Sequence, residues 1–529
     1  MKLKEALSSI STKAIQFLRD DFPAEDRRDH LKLMRLLDDH VFESKGFADV
    51  SLDVAGFDWQ EEGHDKNWWW QLQPLHFLSW YSNSFGLLSA EDRTRYYALC
   101  RDAVLWWLTQ ASANENSPLA WHDHATAFRL KNIVNWVIFC HINDLGIADD
   151  PAAEPLAGLI FDHFDWLQDD ANYSIHTNHG FDQAMMALMA ALMFSSERFD
   201  PYRSVNRNHL KAELGFAFTD QGVHKENSAG YQKSMLNRIR QIEPLKSLGE
   251  HELSGIAQSY IQSATNFLEA ITLPDGSLPL IGDTRGGDIG LTYRQKDQID
   301  VLEYSASGYV IIRGKIFDRD FHLLFKNGHL SHYHRHDDDL SLHLYFDGTV
   351  LLGDGGLGSH NETDPDRILI RSGLAHNAPY IVGREPVRTL PRLNGFFPKT
   401  VLADGKIYGE SFCHGVTIRR ELDFSCISEG KILLKDTALN EKSIRLASNF
   451  YATSGFEVDG DAIYSKAQSD YTLRIRAAGS FSFRPQKSIF SSKFGQFSPV
   501  TAISVLGESL ADRNTIETTL DLVSAHLDR

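Results

Sequence analysis

The feature that most restricts the fold of this chain is a change of hydrophobic period near residue 300. Before it, apolar residues recur at spacings of three and four near 66–84, 92–111, 123–143, 152–169, 179–195, 205–217, 228–246 and 251–272. That period predicts amphipathic helices. Beyond it the period is two: Tyr309–Arg313, His322–Phe325, Leu340–Phe346, Val350–Leu352, Arg419–Phe424 and Lys431–Leu434 read as strands. The turn pairs among them, Asn327-Gly328, Asp347-Gly348 and Asp404-Gly405, suit tight antiparallel connections. Helices with short links predict helical hairpins stacked as a bundle, solenoid or toroid. Short strands without intervening helices predict an antiparallel sandwich. The expected organisation is therefore a helical domain over 1–300 and a β domain over 301–529. Ligands favour clefts where two such domains meet.

The net charge of −18 excludes a nucleic-acid binder whose whole surface is basic. It leaves room for a polyanionic substrate, since a local arginine cleft can oppose the global charge. Cys100, Cys140, Cys413 and Cys426 are far apart, without CxxC spacing, and read as isolated thiols. The opening MKLKEALSSISTKAIQFLRDDF places Ile10, Ala14, Phe17 and Leu18 on one helical face and holds no continuous apolar region of a signal peptide. No apolar run approaches the roughly 20 residues of a membrane span. The expectation is a cytoplasmic protein as written, periplasmic or secreted if an export signal has been removed.

Three constellations carry polar chemistry, and each has a plain structural reading beside the functional one. Asn178-His179-Gly180 precedes an apolar helix, and Asn is a good helix cap; a functional role needs both side chains to face a cleft. In Glu226-Asn-Ser-Ala-Gly-Tyr231, Ser228 can cap a helix and Tyr231 can bury its ring. A positioned phenol can instead act as general base and return the proton.

The third, His334-Arg-His336-Asp337-Asp338-Asp339, lies in the stretch His322–His376, which holds eight of the chain's 23 histidines. With Asp354 and His376 its residue types suit an N/O metal site, while a solvated acidic loop competes. Ladder geometry opposes the metal. A two-residue turn at Asp347-Gly348 sets Asp354 opposite Ser341, and five residues of strand span about 17 Å. The chain before Leu340 has to fold back for His336 to meet Asp354. No Walker loop, dinucleotide glycine fingerprint, GxSxG elbow or HExxH is present.

Taken in order, these motifs resemble the heparinase II/III-like polysaccharide lyases over nearly the full chain. HRHDDDLSLHLYFDGTVLLGDGG is similar to that family's HxHxDxLS…G…DxG signature, and Arg371-Ser-Gly-Leu-Ala-His376-Asn377 to its RSTxAHN segment. Thr177–Gly180, Glu226–Tyr231 and Pro274–Asp283 match its NH, ExSxxY and DGxxPxxGD elements. The resemblance implies an incomplete (α/α) toroid followed by an antiparallel β-sandwich. It also implies β-elimination on uronic-acid polysaccharides or oligosaccharides, glycosaminoglycan-like, yielding C4=C5 unsaturated products.

On these positions the resemblance makes Asn178 and His179 neutralisers of the uronate carboxylate. It makes Tyr231 the acid (and, for one sugar epimer, also the base) and His334 the base from the other face. It places His336, Asp354 and His376 around a structural divalent ion, with zinc the expected one, and lets Asp338 orient a neighbouring histidine. Candidate contacts to an anionic sugar are Arg129, Glu226, Arg285, Arg335 and Arg371, since guanidinium pairs with carboxylate or sulfate; each arginine also has an ordinary salt-bridge reading. The chain departs from the pattern at Gln232, where many members have histidine, at Gly373, and at the charged Arg335, Asp337 and Asp339. Alternatives are an alginate-type oligosaccharide lyase, a glycoside hydrolase using Glu226 and Asp283 as its two carboxylates, and a non-catalytic glycan-binding or capsule-assembly protein.

Overall fold

A computed structural model describes residues 2–21, 24–112, 116–287, 290–331, 333–386, 399–439, 444–465, 470–507 and 514–525. The chain divides into two compact units, one of residues 1–216 and 238–259, the other of 217–237 and 260–529.

The first unit is helical. Helix Asp123–Ile142 is buried along most of its length, Ala125, Ile133, Trp136 and Val137 included, as expected of a helix with little polar face. It packs against Asn178–Leu192, whose Phe181, Met185, Leu188 and Ala191 are also buried. The segment predicted as one helix over 66–84 is two, Lys66–Leu72 and Phe77–Ser84. Pro74 cannot donate within a helix, and Leu75 takes a left-handed φ of 55°, so the chain turns there.

In the second unit, sheets of five, eight and four antiparallel strands carry the fold. The five-stranded sheet runs in order Asp300–Tyr304, Tyr309–Ile316, Arg319–Lys326, Ser341–Phe346, Thr349–Leu352. Its two faces are both covered. Val310, Ile312, Leu323, Phe325, Leu342 and Leu344 join Ile418, Leu422, Leu434, Phe450 and Val505 from the other sheets in the main core. Tyr309, Ile311 and Leu324, one residue out of step, pack instead against Phe267, Ala270 and Ile271. Burial on both faces is why these strands read as continuous apolar runs, and each such side chain contributes about 1.5–3 kcal/mol.

Several histidines are held as neutral rings, among them fully buried His322 and partly exposed His76. Burial pushes His76 and His322 down to about 4, and His322 Nε2–H donates to the Ala270 carbonyl at 2.9 Å. As pH falls the unfolded chain protonates first, near 6.5, so their contribution is complete above that pH and is lost as pH approaches 4. The expected loss is about 3 kcal/mol per histidine. Urea midpoints measured at pH 7 and pH 4.5 check it: His322→Gln removes its share of the drop, and an unchanged drop contradicts the assignment.

Candidate functional site

In the helical unit, two helix starts bring polar residues together. Thr177, not Asn178, caps Asn178–Leu192: its Oγ1 accepts from Gly180 N at 3.1 Å. The capping role expected for Asn178 is thus filled by its neighbour, which leaves the Asn178 amide outside the cap. Gly180 is demanded by close approach, since a Cβ there would lie 2.3 Å from the Ser174 carbonyl oxygen.

Beside it, His179 Nδ1 lies 3.0 and 3.1 Å from the two Asp123 oxygens, and an ionised carboxylate only accepts, so Nδ1 carries the proton. Burial opposes ionisation of Asp123, but hydrogen bonds from His122, His179 and Ser174 hold its carboxyl well below the ordinary range. The His179 ring also stacks on His124 with centroids 4.2 Å apart, and His124 Nε2 reaches Asp182 at 2.6 Å. His122, Asp123 and His179 place ligand-type atoms within 4.8 Å of one another. Both imidazoles already face Asp123 through Nδ1, so the group works as a hydrogen-bonded clamp on His179.

In the second unit, the Tyr231 ring stacks on His334, centroids 3.8 Å apart and planes inclined by 20°. Ser228 Oγ accepts from Tyr231 N at 3.4 Å, the cap read from sequence. Ser228 Oγ also lies 3.0 Å from Thr284 Oγ1, locking the Glu226–Tyr231 segment to the one that ends at Asp283. Gln232, where many relatives carry histidine, is buried; it accepts from His224 N at 2.7 Å and donates to the Gly222 and Ala264 carbonyls. It staples its own loop.

The carboxylate beneath His334 is Asp283. It accepts from His334 Nδ1 at 2.7 Å and His336 Nε2 at 2.8 Å, and takes both Arg367 terminal nitrogens at 2.6 and 2.9 Å. Burial opposes ionisation, yet these donors hold Asp283 well below the ordinary carboxylate range. Glu226 Oε2 lies 3.4 Å from the other nitrogen of His334. The imidazole therefore sits between Glu226 and Asp283, where a glycosidase would place the sugar; this removes the hydrolase assignment of that pair.

The loop that carries the histidines does fold back. His334 and Leu340 both take left-handed φ values, 53° and 65°, and Asp337 N donates to the Arg371 carbonyl at 2.9 Å. His336, Asp354 and His376 come together, buried, with ligand atoms within 4.8 Å. His336 spends Nε2 on Asp283, and His376 spends Nδ1 on Asp354 at 2.9 Å. His336 Nδ1 and His376 Nε2 are buried without a hydrogen-bond partner among the described residues. Two orphaned imidazole nitrogens beside a carboxylate fit a divalent ion, and the Asp283–His336 bond supplies the outer carboxylate such sites use. These residues can hold a metal.

The acidic loop is not solvated. Asp337, Asp338 and Asp339 are all buried. Asp338 does not orient a histidine: it takes Lys326 Nζ at 2.6 Å, and both partners are buried.

The expected sugar contacts divide by exposure. Arg129 is fully buried, donates to His163 and to the Gln73 and Ala120 carbonyls, and lies 3.9 Å over the Trp107 ring. Arg335 is also fully buried. Neither reaches solvent, so the subsite role expected of each gives way to a structural one. Arg371 holds the Arg335 carbonyl at 2.9 and 3.1 Å and pairs with Glu362. Glu226 is buried, whereas Arg285 is exposed, its guanidinium 4.9 Å over the Phe494 ring.

Sequence reasoning missed Asp123 and Arg367 altogether and gave Asp283 only to the hydrolase alternative. The sole signals were positional: Asp123 stands between two histidines, and Asp283 follows a glycine. Nothing local marks Arg367.

Comparison with known proteins bears on this arrangement. No curated protein matches in sequence. Among solved structures, heparan sulfate lyase HepC from Pedobacter heparinus superposes with a TM-score of 0.69 at 16% identity, over 95% of this chain and 84% of that one. A structure of heparinase III gives 0.71 at 14% identity, over 95% and 86%. The fold class is the expected one, an incomplete helical toroid and then an antiparallel β-sandwich. Family models described as Heparinase II/III N-terminus and Heparinase II/III-like, C-terminal match residues 18–302 and 298–519. With its motifs in order and both models matched, the chain belongs to the heparinase II/III family of polysaccharide lyases.

Proposed function

We propose that this enzyme cleaves a uronic-acid glycan of the glycosaminoglycan kind by β-elimination, leaving a C4=C5 double bond in the product. A uronate C5 proton is weakly acidic while the neighbouring carboxylate is ionised. Cleavage needs that charge neutralised, the proton removed and the departing O4 protonated. Asn178 and His179 are assigned the first task, as donors that stabilise developing enolate charge. The Asp123 clamp supports this, because a proton fixed on Nδ1 sets the tautomer and direction of the His179 ring. Tyr231 is assigned as acid and as base for one epimer, His334 as base for the other.

The observation that carries the reading is the stacking of the Tyr231 phenol on the His334 imidazole, with Asp283 fixing the proton on His334 Nδ1. Nε2 is then the nitrogen that exchanges a proton. Arg285 remains as a proposed subsite contact, with Arg371 supporting the loop; buried Glu226 instead faces His334 Nε2. Zinc suits His336, Asp354 and His376; bound there it would tie the folded-back loop to two later segments. Among the described residues no helix is long and apolar enough to cross a membrane.

The test is ultraviolet absorbance followed with heparan sulfate, chondroitin sulfate, hyaluronan, alginate and short oligomers in parallel. The expected result is an absorbing product formed one-for-one with new reducing ends on a glycosaminoglycan. Signal on alginate alone replaces the substrate class. Reducing ends without absorbance mean hydrolysis, and tight binding without either means a fold that no longer catalyses.

A further inference from the structure

Asp283 stands at a junction that the assigned roles do not explain. One of its oxygens accepts from His336, the other from His334. His336 is a candidate metal ligand whose Nδ1 is buried without a hydrogen-bond partner among the described residues, and His334 is the proposed base. We propose that Asp283 is a positioning residue that couples metal occupancy to the orientation of His334. The proposal rests on the β-elimination reading for its catalytic arm only.

The carboxylate is rigid enough for this. Asp283 is buried, and Arg367, itself buried, grips both its oxygens. The preceding Gly282 has φ 56°, and a Cβ there would lie 2.4 Å from the Asn227 carbonyl oxygen and 3.3 Å from that of His334. Only glycine lets these strands of backbone meet. From the far side, Asn227 Nδ2 donates to the Ser331 and Tyr333 carbonyls at 2.9 Å. His334 is thus held in a left-handed conformation, unfavourable for a residue with a side chain, by a fixed anion and a pinned backbone.

Pulling the His336 ring toward an ion moves the Nε2–H that Asp283 accepts. A carboxylate clamped at both oxygens passes such a displacement to its other histidine rather than absorbing it. Because coupling between two sites is reciprocal, perturbing His334 must change affinity for the metal. That consequence can be read without any turnover.

The experiment uses the full chain loaded with Zn²⁺, with affinity measured by competition against a chromophoric chelator. Asp283→Asn keeps the shape but turns one acceptor into a donor facing a ring N–H. It is expected to weaken zinc binding by about 10–100-fold. At saturating zinc it is expected to lower kcat at least tenfold with KM within a few-fold. His334→Gln, at a partly exposed position, is expected to shift zinc affinity several-fold although it touches no ligand atom. Stripping zinc should lower kcat in the wild type and have no further effect in Asp283→Asn. Unchanged zinc affinity in both variants overturns the coupling, as does an equal effect of zinc removal on wild type and Asp283→Asn. If the wild type yields no unsaturated product on any glycan, the β-elimination reading has failed, and the two affinity measurements still decide the coupling.

Discussion

Tyr231→Phe is expected to lower kcat by about three orders of magnitude, within the 10²–10⁴-fold that a positioned acid or base contributes, while KM changes little. The substitution removes one oxygen and keeps the ring that stacks on His334 at 3.8 Å, so the stacking contact is retained. No other hydroxyl of the ring system replaces it: Phe can neither protonate O4 nor accept the C5 proton. The loss should therefore reach both epimers, because the leaving oxygen needs a proton whichever face the base attacks. His334→Ala, by contrast, should be selective for the epimer whose C5 hydrogen faces the imidazole. The absorbance assay on matched glucuronate- and iduronate-containing oligomers separates the two. A Tyr231→Phe enzyme that keeps more than a tenth of wild-type kcat would remove the phenol from the mechanism.

Arg420→Ala has the largest expected effect on stability. Arg420 is fully buried and pairs through two nitrogens with Asp436, also buried, at 2.6 and 2.7 Å. It donates as well to the carbonyls of Leu340 and Asn377, at 2.8 and 2.6 Å. Truncation strands a carboxylate and two carbonyls in the main core. Breaking a buried pair from one side costs about 3–5 kcal/mol, a fall in melting temperature on the order of 5–10 °C. Leu340 closes the fold-back that carries His336, and Asn377 follows His376, so zinc retention should fall in parallel. The double change Arg420→Met with Asp436→Leu removes the stranded charge and should recover part of the loss, the carbonyls still lacking a donor. A melting temperature within 2 °C of wild type for Arg420→Ala would show that water reaches this pair.

The fold class was legible because hydrophobic period is a local property, and the strands around 309–352 were predicted to within a few residues. The helix over 66–84 was misjudged because Pro74 was outweighed by the apolar pattern around it. At the site, Tyr231, His334, His336, Asp354 and His376 were legible as residue types in order. The meeting of His336, Asp354 and His376 followed from the resemblance and is found, but strand geometry alone did not supply it. Straight-strand geometry demands a fold-back before Leu340 for His336 to reach Asp354, and two left-handed residues, His334 and Leu340, supply it. Asp338 was misassigned because nothing near it in sequence announces Lys326, twelve residues earlier on a neighbouring strand. Sequence gives Arg129 and Arg335 a subsite role as readily as a salt-bridge one, because arginine is usually exposed. For Arg129 the surrounding aromatic and carbonyl groups decide otherwise, and Arg335 is fully buried near Asp339.

The ties around His334 are all long-range in sequence. Asn227 reaches Tyr333 across 106 positions, Asp283 reaches His334 across 51 and Arg367 across 84. Arg367, the last of the set, lies 136 positions after Tyr231, and synthesis at roughly 5–20 residues per second makes that a wait of about 7–27 seconds. Until residue 334 is made, the tyrosine exists without its imidazole and Gly282 has the Asn227 carbonyl but not that of His334 to lie against. Chemistry in this protein is therefore a late acquisition of the folding chain, arriving with the return of the loop rather than with any single element.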